Sequence, residues 1–451
     1  MDWSGVKVLV IGAARQGIAL ARYLALRGAR VTLNDQRPAE LLAEARAALA
    51  DLPVSWACGG HPIELLDGID LVCPSGGVPL TLPLIVEALS RGIPLSNDSQ
   101  IFLEACPCRT IGITGSAGKT TTTSLVGRMV AQAYGERHTW VGGNIGTPLL
   151  SVVDQMQPDD LAVVELSSFQ LEIMTCSVQI AVVLNITPNH LDRHGTMEAY
   201  RLAKSRIISQ QTPADIAVLG RDDPGAWSLA SQAPGKVRSF GMQRPPQGET
   251  GAYLEGEQVC LWDGQAAHPL LPRRLIRLRG EHNLLNVLAA CAIGEAAGLD
   301  EQSMRLAIEA FQGEPHRLEW VRNWHGAAWY NDSIATAPER SMAAIRSFEE
   351  PLVLLAGGRD KNLPWDDFAQ LVRQRVEHVV LFGEAAQKIA AALGPGAAVT
   401  LCGNLEQAVV AAARVVKPGD VVLLAPGGTS FDEFKDFEER GECFRRLVMQ
   451  L

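Results

Sequence analysis

The sequence lacks any apolar run long enough to cross a bilayer. The opening run at residues 8–11 falls far short of the roughly twenty residues a spanning helix needs. Met1-Asp-Trp-Ser-Gly5 has no basic stretch followed by an apolar core, so no secretory signal is expected and the expected location is cytoplasmic, away from membranes. Basic excess is missing as well. A formal charge of −10 excludes a general nucleic-acid binder, because such proteins need a basic face to displace counterions. A local basic pocket for one phosphorylated metabolite is compatible with that charge. Of nine cysteines only Cys106-Pro-Cys108 is closely spaced, and no second pair stands at zinc spacing. Others, such as Cys73 and Cys291, lie in apolar runs, so buried reduced thiols are expected. Short-period repeats and low-complexity tracts are absent.

What is present is 451 residues of ordinary globular composition, 47% hydrophobic and 20% charged. That length exceeds one hydrophobic core and implies about three domains. Three α/β blocks follow one another.

The first block opens with a valine-rich strand at residues 6–11, a turn Gly12-Ala-Ala-Arg-Gln-Gly17, a helix over 18–26 and a second strand leading to Asp35. This is the βαβ nucleotide-binding pattern, with Asp35 where a ribose-binding acid is expected. Ala14 replaces the middle glycine, so a βαβ unit with a packing glycine fits as well.

The second block begins with a strand at 110–114. It is followed by Gly115-Ser-Ala-Gly118-Lys119-Thr120 and a helix over 121–131. Backbone N–H groups of such a turn face phosphate oxygens, Lys119 adds a cation, and Thr120 offers a hydroxyl to Mg²⁺. Ile113 stands where the strict phosphate-loop template has its first glycine. Two polar clusters then follow strand ends: Glu165 with Ser167-Ser-Phe-Gln170, and Thr187-Pro-Asn-His190-Leu-Asp192-Arg-His194. Glu165 reads as a metal ligand or as a turn acid. His190 and His194 lack a third zinc ligand, and His194 reads as a solvated loop histidine. Lys204, on a helix over 197–209, reads locally as a solvated surface charge.

In the third block, strands at 327–331, 352–356, 378–382, 398–401 and 420–424 alternate with amphipathic helices, the pattern of a parallel sheet. Ser430 and Glu433 have capping-box spacing for the last helix, whose apolar face draws on Phe434, Phe437, Phe444 and Val448. Thr336 and Glu339 share that spacing, so Thr336 also reads as an N-cap ahead of Pro338.

Taken in order, Gly112-Ile-Thr-Gly-Ser-Ala-Gly-Lys-Thr120, Glu165-Leu-Ser-Ser-Phe-Gln-Leu171, Asn185-Ile-Thr-Pro-Asn-His-Leu-Asp-Arg-His194 and Tyr200-Arg-Leu-Ala-Lys204 resemble the Mur ligase family. Gly280-Glu-His-Asn283, Pro315-His-Arg317-Leu-Glu319, Tyr330-Asn-Asp-Ser333 and Gly357-Gly-Arg-Asp-Lys361 extend the likeness over the whole chain. The segment Ser430-Phe-Asp-Glu-Phe-Lys-Asp-Phe437-Glu-Glu-Arg-Gly441 is similar to the family's members that add D-glutamate. The resemblance implies an α/β fold of three domains: Rossmann-like over residues 1–98, P-loop ATPase-like over 99–313, and Rossmann-like over 314–451. It implies ATP, Mg²⁺ at two sites, glutamate and UDP-N-acetylmuramoyl-L-alanine as ligands, and a monomer that acts on small molecules.

By the same resemblance Arg15, Gln16, Asp35, Arg37, Gly76, Asn144 and His190 hold the UDP-linked substrate. Gly115, Ser116, Gly118, Lys119, Thr120, Thr121, Asn283, Arg317 and Asp332 hold ATP. Thr120, Glu165, His190 and Lys204 hold metal, with Lys204 carbamylated; Lys119, Glu165, His190 and Lys204 are the catalytic set. Thr336, Lys361, Ser430 and Phe437 surround glutamate. The chemistry implied is phosphorylation of a carboxylate by ATP and capture of the acyl phosphate by an amine, with domain closure keeping water out. Ala117 departs from the family's asparagine in the phosphate loop. Ile334 stands where its D-glutamate-adding members carry lysine, and Ala337 where asparagine is common; D-glutamate stays first and L-glutamate stays open. Three other readings are a nicotinamide-dependent oxidoreductase, a non-catalytic nucleotide-binding protein and a folate-polyglutamating ligase. No hydride-transfer site follows the first block, the four catalytic candidates are all present, and the first block is of UDP-binding type. These features weigh against each rival in turn.

Overall fold

The computed structural model of the protein describes residues 2–451. Three sheets carry the fold. In the first, β1 (Lys7–Ile11), β2 (Arg30–Asp35), β3 (Ser55–Cys58) and β4 (Leu71–Pro74) pair in parallel in the order β3-β2-β1-β4. Side chains alternate across a strand, and here both faces are buried. Val8 and Val10 pack with Leu20, Ala21 and Leu24 of the helix Arg15–Leu26, while Leu9 and Ile11 pack with Leu84, Ile85 and Ala88 of the helix Pro83–Ser90.

The second sheet has nine strands: β5 (Arg109–Thr114), β6 (Thr139–Gly143), β7 (Leu161–Glu165), β8 (Ile180–Val183), β9 (Ile216–Gly220), β10 (Lys236–Gly241), β11 (Gly251–Glu255), β12 (Gln258–Trp262) and β13 (Ala267–Pro272). Their order is β13-β12-β11-β10-β9-β8-β5-β7-β6, with β12 alone running antiparallel to the rest. Because β5 lies between β7 and β8, the chain changes direction around it. The carboxyl end of β5 is therefore the switch point where an open α/β sheet binds ligands. Residues 216–272, unassigned from sequence, extend this sheet outward.

The third sheet pairs β14 (Glu319–Trp324), β15 (Ala327–Asn331), β16 (Leu352–Gly357), β17 (Val376–Phe382), β18 (Val399–Leu401) and β19 (Val421–Gly427) in the order β14-β15-β19-β16-β17-β18. Only β14 is antiparallel. Leu352, Leu354, Leu381 and Leu423 face one apolar layer, and Val353, Leu355, Val380 and Val422 face the other. That alternation is what a sheet covered by helices on both sides requires.

By contact density the chain forms two compact units, Met1–Leu275 with Leu285–Glu309, and Ile276–Leu284 with Ala310–Leu451. The first two sheets share the first unit. One apolar cluster runs from Val8 and Leu24 through Ile101 and Phe102 to Leu149 and Val164, and Asn97 Nδ2 donates to Gln170 O at 2.8 Å. All nine cysteines are free thiols, with Cys73, Cys108, Cys260 and Cys291 buried and the others half-buried.

Two capping expectations fail. The last helix, Phe437–Gln450, starts at Asp436, whose carboxylate accepts from Glu439 N at 2.7 Å; the same acid spacing recurs there and outcompetes Ser430 and Glu433. Residues 430–434 form a single turn instead, with Phe434 N donating to Ser430 O at 2.8 Å. Of the expected apolar face, Phe444 and Val448 are fully buried, Phe437 is half-buried, and Phe434 precedes the helix and packs against the same cluster. The helix Pro338–Arg346 begins after Ala337 with no side-chain cap, so Thr336 does not cap it. Pro338 lacks an N–H, which removes one of the donors a cap would satisfy.

Candidate active site

The phosphate-loop segment folds as its composition requires. β5 ends at Thr114, and the helix Lys119–Tyr134 starts behind Gly118, which has φ +83°. A Cβ on Gly118 would lie 2.2 Å from Asn286 Oδ1, so both the dihedral and the close approach call for glycine. Lys119 Nζ donates to Gly115 O at 2.9 Å, and Lys204 Nζ donates to the same carbonyl at 3.0 Å and to Thr114 Oγ1 at 3.2 Å. Two amines from separate helices thus meet at one backbone oxygen. Thr120 Oγ1 donates to Glu165 Oε2 at 2.9 Å, and Asn144 Nδ2 donates to Glu165 Oε1 at 3.0 Å. Ser116 Oγ donates to Thr187 O at 2.9 Å and lies 3.0 Å from the Tyr200 hydroxyl. Thr121, behind the loop, is buried.

Lys204 overturns its local reading as a surface charge: it is 1% exposed. The helix Met197–Ser209 buries Tyr200, Lys204, Ile207 and Ile208 on one face, which draws the lysine inward. Burial pushes its pKa well below the usual amine range, and the Lys119 charge pushes it further, against an opposing pull from Glu165. An amine in that setting favours the neutral, nucleophilic form. Glu165 is likewise buried and bonded on both oxygens, which a solvated turn acid would not be.

His190 has φ +53° and caps the one-turn helix Leu191–His194, with its ring edge-on to Phe169 at 5.1 Å. Desolvation, then the Lys119 charge, lowers its pKa and keeps the imidazole neutral and able to offer a lone pair. His194 is not the solvated loop residue its sequence suggested. It is buried, stacks on Phe169 at 5.3 Å and places Nε2 3.0 Å from Ser168 Oγ. The α-turn around His190 folds it back under the loop, where Tyr200 also packs against it.

In the first sheet, Asp35 accepts from Ala13 N at 2.8 Å and from Arg37 Nε and Nη2, both at 2.9 Å. Arg37 and the turn amides hold its carboxyl far below the ordinary carboxylate range. Gln16 Nε2 donates to Gly143 O at 2.5 Å, next to Asn144, while Arg15 is exposed. Gly76 lines a cavity with Phe169 and Arg193, and Arg193 donates to Gly77 O and Val78 O at 3.2 and 3.1 Å. The turns of the first sheet and the loop of the second therefore border one region.

In the second unit, Asn283 Nδ2 donates to Arg279 O at 2.7 Å. Asp332, at the end of β15, accepts from Leu318 N at 3.0 Å; burial pushes its pKa up to about 6, against the pull of Arg317 and Arg340. Thr336 is half-buried, Lys361 is exposed and Ser430 is buried. Arg359 N donates to Thr429 O at 2.8 Å, which ties the turn after β16 to the turn after β19.

Arg440 was missed by the sequence reading. It is fully buried, and donates from Nε to Ser333 Oγ at 3.0 Å, from Nη2 to Ser333 O at 2.8 Å and from Nη1 to Gly428 O at 3.2 Å. It fastens the ends of β15 and β19 to the helix that begins at Phe437. A signal existed: Arg440 falls in the stripe of Phe437, Phe444 and Val448, where a charge is out of place unless it has partners.

Comparison with known proteins matches three successive segments. Residues 6–97 match the Mur ligase MurD-like N-terminal domain, 113–294 the Mur ligase middle domain, and 316–428 the Mur ligase glutamate ligase domain. A UDP-N-acetylmuramoylalanine--D-glutamate ligase of Symbiobacterium thermophilum is 42% identical over 455 residues, covering 99% of this chain and 100% of the relative. One from Geotalea uraniireducens is 41% identical over 452 residues, covering 100% and 99%. Among solved structures, a UDP-N-acetylmuramate-alanine ligase from Thermotoga maritima shares the fold, with a TM-score of 0.58 at 20% identity and coverage of 98% of this chain and 99% of that one. With its three domains matched in order and full-length relatives far above 30% identity, the chain belongs to the Mur ligase family.

Proposed function

We propose that the protein ligates D-glutamate to UDP-N-acetylmuramoyl-L-alanine at the expense of ATP, through an acyl phosphate, in peptidoglycan precursor synthesis. The chain is an ATP-dependent amide-bond ligase by family. The observation that carries the reading is the convergence at the end of β5: Lys119 and Lys204 on Gly115 O, beside a Thr120–Glu165 pair at 2.9 Å. It joins a glycine-rich turn, cationic nitrogen and hard oxygen donors at a sheet's switch point.

The donor set fits magnesium, since Thr120 offers a hydroxyl and the buried Glu165 a carboxylate. His190 and a carbamylated Lys204 are the proposed holders of a second ion. Bound there, magnesium supplies counter-charge to the transferring phosphoryl group. The burial of Lys204 supports the proposed carbamylation: a neutral amine would add to the carbon of CO₂, lose a proton, and become an anion. That change would set an anion beside the Lys119 cation.

The other chain groups have assignable tasks. Turn amides at Gly115, Ser116 and Gly118, with Thr121 behind them, cradle phosphate oxygens; Lys119 offsets the charge that builds up as the phosphoryl group leaves. Asn144 holds Glu165 and follows Gly143, whose carbonyl accepts from Gln16; Arg15, Gln16, Asp35, Arg37, Gly76, Asn144 and His190 are the proposed UDP-substrate residues. In the second unit Asn283, Arg317 and Asp332 are the proposed nucleotide contacts, and Thr336, Lys361, Ser430 and Phe437 the proposed glutamate contacts. Residues 1–98, 99–313 and 314–451 are the proposed domains for UDP-substrate, ATP and glutamate. No helix among the described residues is long and apolar enough to cross a membrane. The nucleotide substrates favour a cytoplasmic enzyme, and a monomer is the proposed state, which light scattering at the mass of one chain would support.

The test is phosphate release by the full chain with ATP, Mg²⁺ and UDP-N-acetylmuramoyl-L-alanine, with D- and L-glutamate in parallel. Release with D-glutamate and formation of the coupled product are expected. Equal ADP formation without the muramyl substrate, and no coupled product, would end the proposal.

A further inference from the structure

The close cysteine pair noted in the sequence has no task in the ligase reading. Cys106 is the C-cap of the helix Asp98–Ala105, and Cys108 stands one residue before β5, the strand that leads into the phosphate loop. The two Sγ atoms are 3.4 Å apart. A disulfide needs about 2.05 Å, so closure takes a relative movement of roughly 1.4 Å, within reach of χ1 rotations and small backbone shifts. Pro107 fixes one dihedral of the single intervening residue, so little chain freedom separates the open pair from the closed one. Cys106 is half-buried and meets Met156 Sδ at 3.9 Å, whereas Cys108 is 5% exposed. Cys106 is therefore the more exposed of the pair and the first a reagent would meet.

We propose that Cys106 and Cys108 form a reversible dithiol–disulfide site, closed by a small disulfide such as oxidised glutathione. Cys106 is the attacking group. Its pKa is lowered by the Cys108 thiol hydrogen bond, in part against burial and the charge of Asp160, which raises its thiolate fraction. The thiolate attacks one sulfur of glutathione disulfide and releases one glutathione thiolate, leaving a mixed disulfide on Cys106. Cys108 then loses its proton and attacks Cys106 Sγ, expelling the second glutathione. Two protein thiols and one glutathione disulfide thus become one protein disulfide and two glutathiones. A ring closed over one residue is strained, and strained disulfides are the readily reduced ones, so the site reverses under mild reductant.

The test uses the native full chain in graded ratios of reduced to oxidised glutathione. Free thiols are then alkylated, the chain is digested with trypsin, and the peptide spanning residues 92–109 is weighed. That peptide holds Cys106 and Cys108 and no other cysteine. The expected product lacks two hydrogens and carries no alkyl group, and reductant restores the doubly alkylated form. Cys108→Ser should stop at glutathione on Cys106, and Cys106→Ser should leave Cys108 open to alkylation only after unfolding. Two alkyl groups at ratios that oxidise the half-buried cysteines elsewhere would overturn the proposal. So would glutathione persisting on Cys106 of the unaltered chain.

Discussion

Asp98 offers a test of the electrostatics with a sign that cannot be confused. It opens the helix Asp98–Ala105, is 7% exposed, and its Oδ2 lies 3.3 Å from Ser99 Oγ and 3.4 Å from Gln170 Nε2, with the Asp98 and Ser99 amides beside the carboxyl. Burial outweighs these bonds and raises the carboxyl from 3.8 to about 6. At ~1.4 kcal/mol per pKa unit, the folded chain therefore holds this proton about 3 kcal/mol more tightly than the unfolded one. The folded pKa is the higher one, so the stabilisation is complete below pH 3.8 and is lost as pH rises through about 6. Asp98→Asn keeps the shape and removes the ionisation. The variant should be more stable by ~3 kcal/mol at pH 7.5 and by about half of that at pH 5, from the same linkage. At roughly 2 °C per kcal/mol for a large domain, the first unit should melt ~6 °C higher at pH 7.5. Calorimetry at both pH values reads this directly. A variant that melts lower than the parent at pH 7.5, or a gap that is equal at both pH values, would refute it.

Lys119→Ala should abolish phosphate release while leaving the melting profile near that of the parent; normal turnover would reject the phosphate-loop assignment. Lys204→Ala should be severely impaired and partly restored by short carboxylic acids, which would replace the carbamate; unaided normal turnover would reject that role. Arg440→Met should destabilise the second unit by ~2–3 kcal/mol in denaturant titration. Three lost acceptor partners at ~1–2 kcal/mol each are offset in part by relief of the guanidinium's burial, which lowers its pKa to about 10. It should also raise the KM for glutamate more than it lowers kcat, because it acts by positioning the turns at Ser333 and Gly428.

Much of this site was legible as motif and much was not. The glycine turn after β5 and the acid at the end of β7 are local signals, since a strand followed by glycines and a helix leaves few places for a phosphate. Lys204 was legible only by resemblance, because helical periodicity says which face a residue shares and nothing about what covers that face. His194 read as solvated because its loop is polar, yet stacking on Phe169 removes it from water. The last helix began at Asp436 and not at Ser430 because two acid-cap spacings stood in series, and only packing of Phe444 and Val448 selects between them.

The sequence by itself determined the strands that lead into the motifs, the helices that follow the two glycine turns, the order of three α/β blocks and the phosphate-binding turn, because apolar period and glycine placement are encoded over a few neighbouring residues; β3, β4, β6, β9–β13 and β14 were not legible in it. Tertiary structure alone decided that Lys119 and Lys204 meet at one carbonyl, that Asp35 is engaged by Arg37 and the first turn, and that Arg440 is buried among backbone oxygens. Those outcomes depend on which strand ends the parallel order places side by side, and on how much water is left between them. Burial and charge proximity arise only when segments far apart in the chain come together.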